Sequence, residues 1–308
     1  AHPYRGDADL PPDPGGEVFW RTDFQASLEE ARETGRPLFV TWRCLPCEQC
    51  AEFDKNVLEG SENLDPFLRR FVTVRLIDAE RGIVQPEQIA PAVRPSNLHH
   101  SCSTLLVLEN THNAGGGAVF PVETVAAISE TCREHGLKLH MDGARFANAV
   151  AALQIHPKEM TWRAGVDVLT FGGTKCGMPM GEAVIFFDRS LAGEFDYRCK
   201  QAGQLASKMR YLSAPWFGLL KDNAILRHAG HANACARKLS DILAEVPGVT
   251  LVHPTEANAV FVELPERAVT TLHNRGWVFY TFIGSGHCRF MCSWATTDED
   301  IHALTNDI

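Results

Sequence analysis

No stretch of this 308-residue chain approaches the roughly twenty consecutive apolar residues that a bilayer-spanning helix requires, so no helical membrane span is expected. A basic block is missing too. Lys and Arg number 29 against 38 Asp and Glu, giving a formal net charge of −9. That balance argues against nucleic acid as the main partner. The opening residues, Ala1-His2-Pro3-Tyr4-Arg5, lack a charged segment leading into an apolar one, so no secretory signal is read there. Cysteine at motif spacing is scarce. Of ten cysteines only Cys44, Cys47 and Cys50 cluster. The others are scattered through a chain too long to need a disulfide framework, and read as reduced thiols of a cytoplasmic protein.

What is present is the composition of a globular protein with a real core, 45% hydrophobic and 22% charged. Residues 1–16 hold four prolines and three glycines without periodicity and read as a flexible leader. From Phe24 to Glu33 apolar residues recur at helical spacing, and Gly35-Arg36-Pro37 stops that helix. Pro37–Trp42 and Phe71–Ile77 read as strands flanking a helix from Cys44 to Val57, one βαβ unit within residues 17–80. Beyond a polar, proline-containing junction, strands are expected at Leu105–Leu108, Leu137–Met141, Asp167–Phe171 and Ala183–Phe187, alternating with helical stretches such as Glu123–Gly136. That alternation predicts an α/β fold with a mostly parallel sheet over residues 81–215. A long helix from His228 to Ala244, with strands at Ala259–Val262 and Arg289–Trp294, predicts a small α+β domain over residues 216–308.

Two positions in the sheet region carry chemistry. Asp142 follows an apolar strand directly and precedes Gly143. Ligands of parallel sheets sit at the carboxyl ends of the strands, where an Asp can meet a cation or a protonated ring nitrogen. The competing reading is a helix N-cap. Lys175 follows the next strand, bracketed by Gly172-Gly173 and Gly177. A lysine in a cleft with apolar walls has its pKa lowered and serves as an amine nucleophile, whereas a lysine on an open loop does neither. Together, an amine and an acid at neighbouring strand ends are what a pyridoxal-phosphate site needs: one for a Schiff base, one to hold the pyridine nitrogen protonated.

With five motifs in order, Leu108–Asn113, His140–Arg145, Phe171–Gly177, Gly203–Arg210 and Arg289–Trp294, the chain from about residue 82 onward resembles the low-specificity L-threonine aldolases. These are pyridoxal-phosphate enzymes of the aspartate-aminotransferase fold type I. The resemblance implies that Lys175 carries the cofactor, pyridoxal 5'-phosphate, as a Schiff base and that Asp142 pairs with its ring nitrogen. It implies that Arg145 and Arg289 grip the substrate carboxylate, a bidentate task that suits guanidinium. Thr174 and Arg210 would reach the phosphate region. Glu109 and His112 would line the site, and His99 or His100 would face the substrate hydroxyl; which group is the general base stays open. The expected reaction is retro-aldol cleavage of a β-hydroxy amino acid to glycine and an aldehyde, in a homo-oligomer. The family's Ser-Gly-Thr phosphate loop has no recognisable equivalent before residue 82, so the aldolase-like part is read as N-terminally truncated.

In its place, residues 17–80 resemble the first half of a thioredoxin-like domain, with Trp42-Arg43-Cys44-Leu45-Pro46-Cys47 entering a helix. A thiol at a helix N-terminus is stabilised as thiolate, and Cys-x-x-Cys places the second thiol one turn on. Cys44 and Cys47 are therefore redox candidates. The alternative function is a dithiol redox or interaction protein whose aldolase-like part is an inactive scaffold. No spacing supplies a fourth ligand for zinc or an iron–sulfur cluster, and no metal is expected.

Overall fold

The chain divides into two compact units, one of residues 1–80 and 95–101, the other of 81–94 and 102–308. The computed structural model describes residues 24–34, 38–43, 72–77, 83–90, 93, 104–112, 115–281 and 287–308. In the first unit, helix α1 (Phe24–Thr34) precedes strands β1 (Leu38–Arg43) and β2 (Val72–Ile77). The strands pair in parallel, Leu38 opposite Val72 through Arg43 opposite Ile77. Their Val, Ile, Thr, Phe and Trp side chains favour the extended backbone. The expected helix from Cys44 to Val57, with Cys44 and Cys47, lies outside the described residues.

The second unit opens with a single helical turn, α2 (Pro86–Ile89). Then come β3 (Leu105–Glu109), a two-stranded ribbon of β4 (Thr111–His112) and β5 (Ala118–Val119), α3 (Val122–Glu134), β6 (Lys138–Gly143), α4 (Phe146–Leu153), β7 (Val168–Gly172) and β8 (Glu182–Phe186). The strand order is β3-β6-β7-β8. The first three run parallel and β8 is antiparallel to β7. Alternation along β6 buries Leu139 and Met141 and turns Lys138, His140 and Asp142 to the other face. Val125, Ile128 and Cys132 of α3 pack onto the buried face at helical spacing. Each such side chain contributes about 1.5–3 kcal/mol by leaving water.

The remainder holds α5 (Phe195–Gln201), α6 (Arg210–Leu220), α7 (Ala224–Ala244), β9 (Thr250–Leu251), β10 (Ala259–Glu263), α8 (Glu266–Asn274), β11 (Tyr280–Thr281), β12 (His287–Met291) and α9 (Asp298–Asp307). An antiparallel sheet of order β11-β12-β10-β9 buries Val260, Val262, Cys288 and Phe290 against Leu239 and Leu243 of α7. α7 reaches toward the larger sheet as well, where the buried Asn148 of α4 and Asn233 of α7 exchange hydrogen bonds of 3.0 and 2.9 Å. Such a reciprocal pair satisfies polar groups whose burial alone would be costly.

Sequence and structure differ at some ends. α7 begins at Ala224 rather than His228, because the chain turns into it through Asp222 and Asn223 in the left-handed region. β12 stops at Met291, not Trp294: the Asn258 side-chain amide takes the Cys292 carbonyl at 2.8 Å, and the Ser293 amide turns to Thr296 Oγ1. The cysteines among the described residues are free thiols. No described helix is long and apolar enough to cross a membrane.

Candidate active site

The carboxyl ends of β3, β6 and β7 gather the charged residues. Register places Glu109 opposite Asp142, and Asp142 opposite Thr170. The Ala144 amide donates to Asp142 Oδ1 at 3.0 Å, which fixes the carboxylate at the strand end. The motif after β3 then braces the 142–145 loop. The Asn110 amide donates to the Asp142 carbonyl at 3.0 Å, and the Thr111 hydroxyl to the Arg145 carbonyl at 3.2 Å. Gly172 makes the close approach of β7 possible, since a Cβ there would lie 2.7 Å from the Ala144 backbone.

Lys175 sits in a one-turn 3-10 helix, Thr174–Cys176, directly after β7. Phe171, near the end of β7, packs edge-on against Phe146 at 5.7 Å and against Trp216 at 5.0 Å, an apolar wall at the root of the turn. Partial burial holds the Lys175 amine below its ordinary range and Arg145 adds to this, while Glu182, Asp142 and Glu109 oppose it. The residue keeps an exposed side, so this burial is incomplete. Burial likewise lowers the Arg145 guanidinium, against the pull of Glu109 and Asp142. Arg145 Nε is buried with no hydrogen-bond partner among the described residues. A buried donor without an acceptor costs about 1–3 kcal/mol and marks a place where a ligand is wanted.

Lys175, Asp142, Arg145 and Glu109 thus lie within one electrostatic neighbourhood. Thr174 adjoins it, its hydroxyl donating to Glu182 Oε1 at 3.3 Å. Arg210 starts α6, exposed, with its guanidinium 5.0 Å over the ring of Tyr211. Arg289 lies on β12, half-buried, 5.1 Å over the ring of Tyr280. His99 and His100 lie outside the described residues, as does the side chain of His112.

Two further residues belong here and were not read from the sequence. Glu182 opens β8 opposite Gly172, beside the lysine turn. Burial raises its carboxyl above the ordinary range, while Lys175 and the Thr174 hydroxyl act the other way. His228 of α7 places Nδ1 2.8 Å from the Cys176 carbonyl. The only sequence signal for Glu182 is a charge at the start of an apolar strand, and for His228 there is none.

The donor set fits pyridoxal phosphate: an amine of lowered basicity, a carboxylate fixed at a strand end, and a buried guanidinium with an open donor. Residues 61–267 match the beta-eliminating lyase family, and residues 19–94 match a thioredoxin-like family, the two overlapping over 61–94. A low specificity L-threonine aldolase from a Pseudomonas species is 54% identical over 231 residues, covering 75% of this chain and 66% of the relative. The low specificity L-threonine aldolase of Escherichia coli K12 is 31% identical over 188 residues, covering 59% of this chain and 55% of the relative. The chain therefore spans about two thirds or less of the length of these relatives. Among solved structures, the threonine aldolase of Leishmania major superposes with a TM-score of 0.70 at 24% identity, over 88% of this chain and 76% of that one. The fold is thus the α/β, aspartate-aminotransferase-like fold type I, and by a family match over more than half its length the chain belongs to the beta-eliminating lyases.

Proposed function

We propose that the chain is a pyridoxal-phosphate-dependent carbon–carbon lyase that cleaves L-threonine and related β-hydroxy amino acids to glycine and an aldehyde. The observation that carries this reading is the grouping of Lys175, Asp142 and Arg145 at adjoining strand ends, with Arg145 Nε buried and unpartnered among the described residues. The 54% identical aldolase supports the same reading.

Pyridoxal phosphate, when bound, supplies the electron sink for the pair left on Cα as the Cα–Cβ bond breaks. Lys175 offers the amine that anchors it, and lowered basicity keeps a larger share of that amine free of its proton near neutrality. Asp142 holds a proton at the ring nitrogen. Arg145, with Arg289 from the smaller sheet, binds the substrate carboxylate. Glu109, facing Arg145, orients that guanidinium and is one candidate to take the β-hydroxyl proton; His100 is the other. Thr174 and Arg210 are assigned to the phosphate. Residues 81–215 form the cofactor-binding part and 216–308 the small domain of a cytoplasmic homo-oligomer.

Incubation with pyridoxal phosphate, borohydride reduction and mass mapping test this reading. A visible absorption band that reduction removes, with the adduct on Lys175, is the expected outcome. An adduct scattered over surface lysines overturns it. A second reading rests on the thioredoxin-like match over residues 19–94. If Cys44 and Cys47 form a working dithiol, insulin reduction is lost in Cys44→Ser; equal rates in both proteins dismiss it.

A further inference from the structure

We infer that His228 is a positioning residue for Lys175, and that with Trp294 it ties the lysine turn to the segment following the strand of Arg289. The inference concerns the aim of Lys175 and rests on the proposed function only for why that aim matters.

A carbonyl oxygen can only accept, so the 2.8 Å contact with the Cys176 carbonyl requires the hydrogen of His228 to sit on Nδ1. Cys176 follows Lys175 in the same 3-10 turn, and its own side chain is buried. The turn has no side-chain cap and ends at Gly177, at φ +108°. The Cys176 and Met178 amides both donate to the Gly173 carbonyl, at 3.0 and 3.1 Å, which closes the turn around Lys175 from within. The Cys176 carbonyl points out of that closed turn, and the imidazole anchors it from outside.

The other side of the imidazole is occupied. Its ring stacks on Trp294 with centroids 5.6 Å apart and 27° between planes. A Cβ added to Gly177 would lie 3.4 Å from His228 Nδ1 and 3.7 Å from Trp294 Cε2, so turn, imidazole and indole meet in one corner. Trp294 lies in the turn that follows β12. That turn is fixed internally by the Ser293 amide donating to Thr296 Oγ1 at 2.8 Å. A second imidazole of the same helix, His231, donates from Nε2 to the Thr296 carbonyl at 2.8 Å. Residues three apart share a helix face. One face of α7 therefore presents two imidazoles that pin two carbonyls, one in the lysine turn and one in the segment after β12. The helix acts as a spacer between Lys175 and the segment that leads back to Arg289.

The test uses the full chain and three variants: His228→Asn, whose amide keeps a donor near the Nδ1 position, His228→Leu, which removes it, and Trp294→Leu. The first readout needs no cofactor. Trace labelling of amines with acetic anhydride across pH, mass-mapped, gives the titration midpoint of Lys175 beside the other lysines. The charged groups acting on Lys175 are Arg145 and Asp142 from the end of β6, Glu109 from β3 and Glu182 from β8, and none is altered. Release of the turn lets the amine reach water, so His228→Leu should raise its midpoint by about half a pH unit, toward an ordinary lysine. His228→Asn should stay close to the parent. In the second readout, borohydride-trapped cofactor on Lys175 should fall about tenfold in His228→Leu and recover in His228→Asn, because misplacing a reacting group is costly. Trp294→Leu should move both readouts part of the way. A His228→Leu protein matching the parent in both overturns the inference, as does an Asn variant no better than Leu. If His228→Leu does not fold, Trp294→Leu, altered at a half-exposed position, decides: no change overturns the inference. A parent that takes no cofactor on Lys175, alongside a shifted amine midpoint in His228→Leu, would defeat the proposed function and leave the positioning role standing.

Discussion

The two ends of β6 carry charge in opposite ways. At its amino end, Lys138 donates to Asp188 at 3.0 Å and to Asp167 at 3.3 Å. Asp167 also accepts the Leu139 amide at 2.8 Å, and Asp188 accepts both the amide and the hydroxyl of Ser190. Each charged group there has hydrogen-bond partners within the chain. At its carboxyl end, Asp142, Arg145, Lys175, Glu109 and Glu182 act on one another, yet Lys175 makes no ion pair among the described residues and Arg145 Nε is buried without a partner there. An open groove of about 450 Å³, lined in part by Arg133, Lys138, Trp162 and Asp188, lies at the amino end. A closed charge cluster needs no ligand to be stable, whereas an open one stores a demand that a ligand fulfils.

The sharpest way to break the comparison is Lys175→Ala. Aldolase turnover and the cofactor adduct should fall by at least about a thousandfold, since no other group supplies the amine. The thermal midpoint should stay close to the parent, because Lys175 contributes no ion pair. Next comes Asp142→Asn. The amide oxygen can still accept the Ala144 amide, so stability should change by less than about 1 kcal/mol. On the proposed role of Asp142 at the ring nitrogen, loss of the negative charge should lower turnover about a hundredfold or more. Steady-state kinetics beside a melting curve reads both. A smaller effect is expected at Glu182→Gln. It removes an anion from beside the lysine turn, so the Lys175 midpoint should drop by several tenths of a pH unit. An unchanged midpoint would show that Glu182 serves only to hold Thr174.

These expectations also mark what could be read from the sequence. Short strand-like runs located β6 and β7, the aspartate that ends the first run located Asp142, and the glycines that bracket Lys175 after the second located the lysine turn. Such signals are local, because a strand's apolar period stops where its buried face stops. The Leu108–Asn113 motif was assigned to the site through Glu109 and His112. Asn110 and Thr111, which brace the 142–145 loop, act through backbone carbonyls that no sequence pattern displays. Glu182 lies eight residues past Thr174, across a turn, and His228 lies 52 residues past Cys176. Only the antiparallel return of β8 and the placement of α7 bring them to the lysine turn. The early start of α7 depends on left-handed backbone at Asp222 and Asn223, two residue types that tolerate it, a turn signal easily passed over between two helices.

The gentlest test lies at the closed end. Hydrogen bonds from Ser190 and then from Lys138 hold the Asp188 carboxyl down at about 2, from an ordinary value of 3.8. A carboxyl held lower in the folded chain than in the unfolded one stabilises the fold above its ordinary range. That contribution fades as the pH falls through about 2, where both states hold the proton. Lys138 has the opposite sign, since its partners raise it. Its contribution is complete below the ordinary lysine range and fades as the pH rises through its higher folded value. Asp188→Asn should therefore lower the thermal midpoint slightly at neutral pH, and the gap to the parent should close between about pH 4 and pH 2. The effect is small because Asp188 is open to solvent, where exposed pairs contribute little and salt screens them. Aldolase turnover at neutral pH should not change, because Asp188 lies at the other end of the sheet from Lys175. Loss of turnover in Asp188→Asn would mean that the two ends of β6 are coupled, and that the contrast between closed and open clusters does not separate stability from chemistry in this chain.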